Sequence, residues 1–527
     1  MTGVSPPLSC RPICSTARLS LVLTVFAFSG CVNQNKEVAK YRSVLDGANP
    51  VDVPVHYASG QPLTLEASML LASRRNEQLA SQGETYLQSL IQRDRAFSVF
   101  LPTVSLAPSL SWQNKPLSHG GVSAAGATGT GTSSSGGGPN KYTAVNVPLT
   151  AQMNVSAVRD LAAVRGAYAF VGQQRNSLLD LQQTVMLETA QSYYQIVLAE
   201  RTVTVLSNSV QFQEARVADM QQRFKAGLAQ PLDIAQTQAT EAATRAQLTT
   251  ARNNVLTNRA GLAFLTNADV EEAAIFDRLA VPDQFSSIDQ QVQIALSNRP
   301  DVQAAAAAVN VQQQNVQAAI GEYFPSVTLN LDYYLHRETF PTNAEWTSLI
   351  SANLPIFSAG TIEADVRAAW SQLRTALYQQ WLLTRQVRRD VKVAMENLLA
   401  SRQRIRDLHV EVDASQEALR QAVEKYRAGL GSNLDVLTAQ DTLFSSQLDL
   451  VTEEINYKVA YITLIRTLGQ LARPQGTTSM SSSATSQPTT EELTPLVPQF
   501  PVGPATAPAS LPATREWKTE DRSQNTQ

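Results

Sequence analysis

The chain has 527 residues and carries 42 Lys and Arg against 45 Asp and Glu, so its net charge is −3. This balance excludes a general electrostatic attraction to nucleic acid or to anionic lipid. The four histidines, His56, His119, His336 and His409, lie in unlike contexts, without metal-ligand spacing, a nucleophile motif or a phosphate-binding loop. We therefore predict a protein that is not an enzyme and that needs no cofactor or metal.

The amino terminus has the pattern of an export signal. Arginines precede the apolar run 19–28, which at about ten residues is too short to span a bilayer and has the size of a signal-peptide core. The run ends in "FSGC", in which Ser29-Gly30 before Cys31 resembles a bacterial lipobox. We predict a signal peptide over 1–30 and lipidation of Cys31, such as by palmitate, with ordinary signal cleavage nearby as the alternative. No later segment reaches eighteen apolar residues, which excludes a helical membrane protein.

Short segments with alternating apolar and polar residues interrupt long helical stretches. In the first half, "TVSLAPSLSWQ" at 103–113 and a run over about 142–149 have the period of β-strands with one apolar face. The second half has "SVTLNLDYYL" at 326–335 and a run over about 347–357. The Gly/Ser-rich stretch 118–140 between the first two strands predicts a flexible loop.

The helical stretches follow the same order in both halves. The sequence predicts helices over 64–99, 150–226 and 232–265, and then over 289–321, with a bend at Asn298-Arg299-Pro300, over 361–428 and up to about 471. The chain is therefore interpreted as two copies of helix–strand–strand–long helix–turn–helix. We divide it into a signal peptide (1–30), a lipidated extended segment (31–63), repeat 1 (64–266), an equatorial linker (267–288), repeat 2 (289–472) and a disordered Pro/Ser/Thr-rich tail (473–527).

The strands have the length and the two faces of membrane β-barrel strands. Four strands cannot close a barrel, and open sheet edges are not tolerated in lipid, so three chains would together supply twelve strands. The Ala-, Gln- and Thr-rich helices suit a hollow ring. We predict a mainly α fold with a small membrane β part, a trimeric twelve-stranded β-barrel that continues into an α-helical barrel. A soluble sandwich and a plain antiparallel coiled coil are the alternatives.

Two stretches of the chain are near copies of each other: "RFKAGLAQPLDIAQTQ" at 223–238 and "KYRAGLGSNLDVLTAQ" at 425–440. Gly227 and Gly429 can end a helix in the left-handed conformation. Asp233 and Asp435 fall in the first turn of the following helix, where the helix dipole favours an anion. This local role explains both aspartates without any function, and a role in a pore is the alternative.

These copies, with "SNRPDVQAAAAAVNVQQQNVQAAIGEYFPSVTLN" at 297–330 and "LPIFSAG" at 354–360, resemble the outer-membrane efflux protein family, the TolC-like channels, of the lipoprotein type. The resemblance covers 60–472 and implies a homotrimer in the outer membrane with a large periplasmic α-barrel. It implies a passive exit duct of a tripartite efflux or secretion system, opened at its periplasmic tip by an adaptor (membrane fusion protein) and an inner-membrane pump. A non-transporting helical scaffold lipoprotein of the cell envelope is the alternative.

The resemblance also implies a gate at the tip. Asp435 occupies the position of a carboxylate ring, where three like charges would favour cations and raise some pKa values. Tyr426 matches a tyrosine that hydrogen-bonds an aspartate on the neighbouring tip, here Asp233. Some members lock the tip with an arginine after the glycine, whereas this sequence has Gly431-Ser432-Asn433, and Thr438 stands in place of a second ring aspartate. We therefore predict a weaker lock that rests on Tyr426 and Asp233.

Overall fold

The structure is a computed structural model that describes residues 33–47, 62–112, 143–338 and 343–471. Cys31, the signal peptide, the whole loop at 118–140 and the tail 473–527 lie outside these residues. The helices are α1 (Gln34–Asp46), α2 (Leu65–Arg75), α3 (Glu77–Ser98), α4 (Ala157–Lys225), α5 (Pro231–Thr266), α6 (Ile288–Asn298), α7 (Pro300–Gly321), α8 (Thr361–Arg427) and α9 (Asn433–Thr467). The strands are β1 (Thr103–Leu106), β2 (Ser109–Trp112), β3 (Thr143–Val155), β4 (Ser326–Arg337) and β5 (Trp346–Asn353).

The amino-terminal segment contains a helix, so the prediction of an extended lead-in over 31–63 was wrong for α1. The Asn33 side chain caps this helix by accepting a hydrogen bond from the backbone N–H of Asn35. The prolines of this segment, Pro50, Pro54 and Pro62, all follow the helix. Its thirteen residues are too few for a stable isolated helix, so packing against the rest of the chain must hold it.

The first predicted helix of each repeat is broken once. In repeat 1 the break is at Asn76, whose side chain accepts hydrogen bonds from Gln78 N and Leu79 N and thereby caps α3. The same side chain donates through Nδ2 to the backbone oxygen of Leu265 at 3.4 Å, a contact that the local sequence does not reveal. In repeat 2 the predicted bend at 298–300 is confirmed, because α6 ends at Asn298 and α7 begins at Pro300.

The strands form one antiparallel sheet in the order β1/β2–β3–β4–β5. The first predicted strand is split into β1 and β2, yet both pair with β3 in one continuous register, Leu106 opposite Leu149 and Ser109 opposite Asn146. Pro108 lies in the gap and has no N–H to donate, which accounts for the interruption. The sheet therefore still has four strand positions.

The two faces of the sheet differ as the alternation predicts. Residues paired across the strands carry apolar side chains on one face, such as Val104–Ala151–Leu331 and Leu329–Ile350. The opposite face carries hydroxyl and amide groups, and Thr150 Oγ1 donates to Asp332 Oδ1 at 2.6 Å. Much of the apolar face is not covered by any of the described residues, and Ile350 is 71% exposed.

The last strand is shorter than predicted. The run 347–357 was expected to be a strand throughout, but β5 ends at Asn353, which pairs with Ser326 at the start of β4. Residues 354–357 therefore have no strand left to pair with, and Ile356 and Phe357 are exposed. Ala359 and Gly360 then turn the chain into α8 with positive φ angles of 51° and 82°.

The two long helices organise the helical part, which repeats the same plan twice as predicted. α4 has 69 residues and α8 has 67, so each is about 100 Å long. Next to the sheet the packing order is α3–α4–α7–α8, and towards the copied turns it is α5–α4–α9–α8. No helix of the described residues is long and apolar enough to cross a membrane.

The core lies where the linker 267–288 crosses the helices. Tyr193 and Tyr194 of α4 are fully buried there against Leu63 and Leu262. The linker is fixed by Asp277, which accepts hydrogen bonds from Lys458 Nζ at 2.5 Å and Tyr194 Oη at 3.0 Å. Burial alone favours protonation of Asp277, but these hydrogen bonds and that of Leu279 N outweigh it, so its pKa is lowered.

Candidate functional site: the paired helix turns

The two copied turns have the same backbone geometry. Gly227 and Gly429 have φ angles of 76° and 75°, in the left-handed region that favours glycine. In the first turn the N–H of Leu228 donates to the carbonyl of Arg223 at 2.8 Å, and in the second Leu430 donates to Lys425 at 2.9 Å. Both turns are therefore Schellman-type helix ends, as the sequence predicts for the two glycines.

Asp233 and Asp435 each close the first turn of the returning helix. The N–H of Gln230 donates to Asp233 Oδ2 at 3.0 Å, and the N–H of Ser432 donates to Asp435 Oδ2 at 2.8 Å. In the second turn the Ser432 hydroxyl accepts from the N–H of Asp435 at 3.1 Å, which completes a capping box. Pro231 is the first residue of the first returning helix, a position that suits proline.

The hydrogen bonds within the second turn favour the ionised form of Asp435. The backbone and the hydroxyl of Ser432 lower the pKa of this carboxyl, which is fully exposed in the single chain. The family resemblance predicted the opposite direction, on the basis of repulsion between three carboxylates. Within one chain the local cap therefore determines the charge of Asp435.

Tyr426 lies against cations rather than against Asp233. Its hydroxyl donates to Met220 Sδ at 3.3 Å, and the guanidinium groups of Arg216 and Arg223 lie 4.3 and 5.1 Å from its ring centre. Among the described hydrogen bonds of this chain, none joins Tyr426 to Asp233. The predicted lock is thus not formed within one chain, and a contact between neighbouring chains stays a prediction.

The residue that joins the two turns is Asn433, the first residue of α9. Its Oδ1 accepts a hydrogen bond from Arg216 Nη2 at 2.9 Å. Its Nδ2 donates to the backbone oxygen of Asp233 at 3.3 Å and to Thr237 Oγ1 at 3.2 Å. With the Tyr426 ring over Arg216, one residue from each of α4, α5, α8 and α9 meets here; we call Arg216, Thr237, Tyr426 and Asn433 the four-helix junction.

Arg216 is the buried charge of this junction. It is 8% exposed, and burial lowers its pKa although Tyr426 and Asp219 favour the charged form. Asp219 lies 3.7 Å from its Nη1 and is also bound by Arg223 Nε at 3.0 Å. The charge is therefore held by one carboxylate, one amide and one aromatic ring, and the amide comes from the other hairpin.

The outer surface of each turn is apolar. Leu228 and Leu232 of the first turn are exposed, and so are Leu430 and Leu434 of the second. Leu430 is 82% exposed, immediately after the glycine that ends α8. The turns thus present paired leucines to the outside, while the side chains of the four-helix junction meet between the two hairpins.

The comparisons with known proteins identify the family. The model of the family described as "Outer membrane efflux protein" matches residues 69–268 and 291–470, which together exceed half of the chain. The chain belongs to this family. The resemblance predicted from the copied turns is therefore confirmed, as is the location of the family in the outer membrane.

Two relatives of this efflux protein are 25% and 31% identical to it over the segments that align. It is 25% identical to the outer membrane efflux protein BepC of Brucella suis over 59% of this chain and 69% of BepC. It is 31% identical to the toluene efflux pump outer membrane protein TtgC of Pseudomonas putida, over 33% of this chain and 37% of TtgC. The latter match thus spans little more than a third of TtgC.

Solved structures show the same fold. The outer membrane protein VceC from Vibrio cholerae matches with a TM-score of 0.66 and 19% identity, over 77% of this chain and 96% of VceC. The Campylobacter jejuni CmeC outer membrane channel matches with a TM-score of 0.66 and 17% identity, over 77% of this chain and 86% of CmeC. The predicted fold class, mainly α with a sheet and two repeats, is confirmed.

Arg216 and Asn433 of this efflux protein were missed by sequence reasoning as functional residues. In the sequence analysis Asn433 appears only as one of the residues that stand in place of the locking arginine. The sequence did contain a clue. Asn433 aligns with Pro231, so at this position one copy of the turn has a polar amide and the other has a proline. Arg216 lies in an uninterrupted helix with no motif around it, so only the packing of α4 against α9 reveals its role.

Proposed function

We propose that this protein is the outer-membrane exit duct of a tripartite efflux or secretion system, a passive homotrimeric channel without a catalytic step. One observation carries the proposal: a sheet with an uncovered apolar face continues into helices of about 100 Å with polar surfaces. A membrane-inserted sheet that leads into a long periplasmic tube accounts for both features. We retain the domain boundaries given from the sequence as part of this proposal.

The free edges of the chain support a closed assembly of copies. Both ends of the sheet, β1/β2 and β5, lack a partner strand within the described residues. The helical layer next to the sheet also ends on both sides, at α3 and at α8. Since β1 follows α3 and β5 precedes α8, each edge of the sheet continues into an edge of the helical layer. Three copies joined along these edges would close a twelve-stranded barrel.

Aromatic residues border the sheet at both ends, as in barrels that cross an outer membrane. Trp112 ends β2 and Trp346 begins β5, and both are exposed. At the helical end the exposed aromatic residues are Phe97, Tyr323, Phe324 and Phe357. These two groups would lie at the two surfaces of the bilayer, with the strands between them.

At the other end of the molecule, we propose that the paired turns meet the periplasmic adaptor and form the gate. The exposed leucines, Leu228 and Leu430 with Leu232 and Leu434, offer an apolar surface that an adaptor could cover. The four-helix junction would hold the hairpins together at rest, because separating them leaves the buried Arg216 without its Asn433 acceptor. Asp435, from three copies, would line the constriction and favour cations.

Lipidation of Cys31 completes the proposal and is tested by itself. Cys31→Ala should abolish incorporation of radiolabelled palmitate into the mature protein, while wild type is labelled. Continued labelling of the variant would contradict the assignment of Cys31 as the acylated residue.

Ion conductance in planar bilayers tests the channel itself. Detergent-extracted protein should form trimers that separate on heating in gel electrophoresis and should give discrete single-channel steps. A non-transporting scaffold lipoprotein gives no conductance, even when its trimer and its lipid are intact. That result would refute the exit duct and favour the scaffold.

A further inference from the structure

Three buried polar atoms in and beside the four-helix junction have no hydrogen-bond partner among the described residues. They are Nε of Arg216, Oε1 of Gln213 on α4 and Oε1 of Gln440 on α9. Gln213 is 1% exposed and Gln440 is 5% exposed, so both amides are removed from bulk solvent. A buried polar group without a partner costs free energy, and such groups are few in folded proteins. One donor and two acceptors are thus unused close to the place where the two hairpins meet.

The partners of Arg216 all lie towards the turns. Its Nη2 donates to Asn433 at 2.9 Å, and its guanidinium carbon lies 4.3 Å from the ring centre of Tyr426. Its Nη1 lies 3.7 Å from a carboxylate oxygen of Asp219, which comes one turn later on α4. Gln213 comes one turn earlier on the same helix. The guanidinium is therefore directed towards the turns and away from the unused acceptor of Gln213.

The geometry of α4 nevertheless keeps Gln213 within reach of this arginine. Residues three apart on a helix lie on the same face, with Cβ atoms about 5–6 Å apart. A long side chain on a helix usually extends over the turn that precedes it, and for Arg216 that turn contains Gln213. Rotation about the side-chain bonds of Arg216 can therefore bring one of its five N–H groups to Oε1 of Gln213 without any movement of the backbone.

The present acceptor of Arg216 belongs to the other hairpin. Asn433 lies on α9 and Tyr426 on α8, so both would leave Arg216 together if this hairpin moved away from α4. Asp219 would stay, but its carboxylate is shared with Arg223, whose Nε donates to it at 3.0 Å. A buried cation that loses a hydrogen-bond acceptor is strongly destabilising. Gln213 is on the same helix as Arg216 and offers a second amide oxygen wherever α8 and α9 move.

We propose that Gln213 is the second acceptor of Arg216, a positioning residue that takes over the guanidinium when the two hairpins separate. With the hairpins together, Arg216 binds Asn433 and the amide oxygen of Gln213 is unused. With the hairpins apart, Arg216 binds Gln213 instead. The inference rests on the gate proposed above and gives its regulation a structural basis, because opening exchanges one hydrogen bond of the buried cation for another. The gate then has two stable states rather than one.

Gln440 provides a matched control for Gln213. It is also a buried glutamine whose Oε1 has no partner among the described residues, but it lies on α9. It comes seven residues after Asn433, about 10 Å further along that helix, and would leave α4 together with Asn433. Gln→Met removes the acceptor at either site and keeps a side chain of similar length. The control therefore measures the relief of an unpaired acceptor without the loss of a second acceptor for Arg216.

Separation of the hairpins is measured with a thiol at Val436, in every variant and without reference to ion conductance. Val436 is fully buried and comes three residues after Asn433 on α9, so Val436→Cys places a thiol that is reached only when α9 leaves its neighbours. The full-length protein in detergent is treated with N-ethylmaleimide. Mass spectrometry of the peptide that contains residue 436 gives the labelling rate, which is proportional to the separated population when closing is fast.

Gln213→Met should slow labelling about tenfold more than Gln440→Met does. Both changes remove an unpaired acceptor from the closed arrangement, but only Gln213→Met also removes a hydrogen bond to a charged group from the separated one. The excess should depend on the arginine. In an Arg216→Met background the two glutamine variants should differ by less than about twofold, because no cation is left to be accepted.

Equal labelling in Gln213→Met and Gln440→Met would overturn the proposal, and so would faster labelling in Gln213→Met or an excess that persists without Arg216. Bilayer recording keeps this result separate from the proposed function. A protein that gives no conductance but shows the excess that depends on Arg216 refutes the exit duct and leaves the second acceptor in place. A conducting protein without that excess refutes only the second acceptor.

Discussion

At the scale of single residues, the junction between the two turns depends on one amide. Asn433 is 3% exposed and connects the buried Arg216 of the first hairpin to α5 through Asp233 and Thr237. Hydrogen bonds to a charged group contribute about 1.5–3 kcal/mol, and a buried donor that loses its acceptor costs a similar amount. The junction can therefore hold a closed tip without the arginine salt bridge found in some members.

Asn433→Ala should open the tip. The loss of about 1.5–3 kcal/mol at the junction raises the open population about tenfold or more, which single-channel recording would show as a higher open probability. Thr442→Ala removes an exposed hydroxyl of the same helix and is the matched control. It should leave the open probability unchanged. Equal open probability in Asn433→Ala and wild type would exclude the junction as a lock.

The carboxylate of Asp435 should stay ionised at acidic pH. Because its pKa is lowered by the hydrogen bonds of Ser432, the carboxylate remains ionised until the pH falls below the usual aspartate value of about 3.9. The stabilisation that it gives to the cap is present above that range and is lost as the pH falls through the lowered pKa. We expect cation preference in bilayers to be constant from pH 7 to pH 5 and to decrease in Asp435→Asn. A titration midpoint above about 4 would instead indicate repulsion between three carboxylates.

At the scale of elements, replacing a glycine by alanine should lower the stability in a turn and raise it inside a helix. Gly429 has a φ of 75° with no atom near the added Cβ, so Gly429→Ala strains only the backbone, by about 1–2 kcal/mol. Gly172 lies inside α4, also with open space, and Gly172→Ala should stabilise by about 0.5–1 kcal/mol.

Hydrogen exchange at the turn residues measures the destabilisation by Gly429→Ala. Amides of 426–433 should exchange about tenfold faster in Gly429→Ala, since 1.4 kcal/mol corresponds to a factor of ten. Gly227→Ala should behave alike at the first turn, because its φ of 76° is the same. If either variant exchanged as slowly as wild type, the left-handed geometry would not be required there.

At the scale of the whole molecule, the proposed trimer requires that the edges of neighbouring copies meet. Tyr378 and Trp381 on the edge helix α8 form an exposed edge-to-face pair with ring centres 5.6 Å apart. Burying a large aromatic side chain contributes roughly 1.5–3 kcal/mol, so this pair is suited to cover a neighbouring α3 in the trimer.

Trp381→Asp should therefore weaken the trimer. We expect the temperature at which the trimer separates on gels to fall by several degrees, because each of three interfaces loses an aromatic contact and buries a charge. Lys392→Asp, also at an exposed position of α8, should change it little. A trimer that is unaffected by Trp381→Asp would place this face of α8 away from the interface.

The sequence by itself determined the parts of this protein that depend on short-range physics. Alternation predicted the strands and their faces, the lack of Gly and Pro predicted the long helices, and duplication of the turn predicted the repeat, since each follows from local sterics and the spacing of apolar residues. The two aspartate caps also follow from residues within three positions of each other.

Only the tertiary structure decided which distant residues meet. α1 is held as a helix because Tyr41 packs on Gly83 and the backbone oxygen of Leu45 accepts a hydrogen bond from Gln182. Both partners lie 42 or more residues away from Tyr41 along the chain. Tyr426 contacts Arg216 and Met220 rather than Asp233 because the packing of the helices places the last turn of α8 beside α4. Such contacts are chosen by the packing of whole helices, whose surfaces are similar in composition along their length, so no local pattern in the chain specifies them.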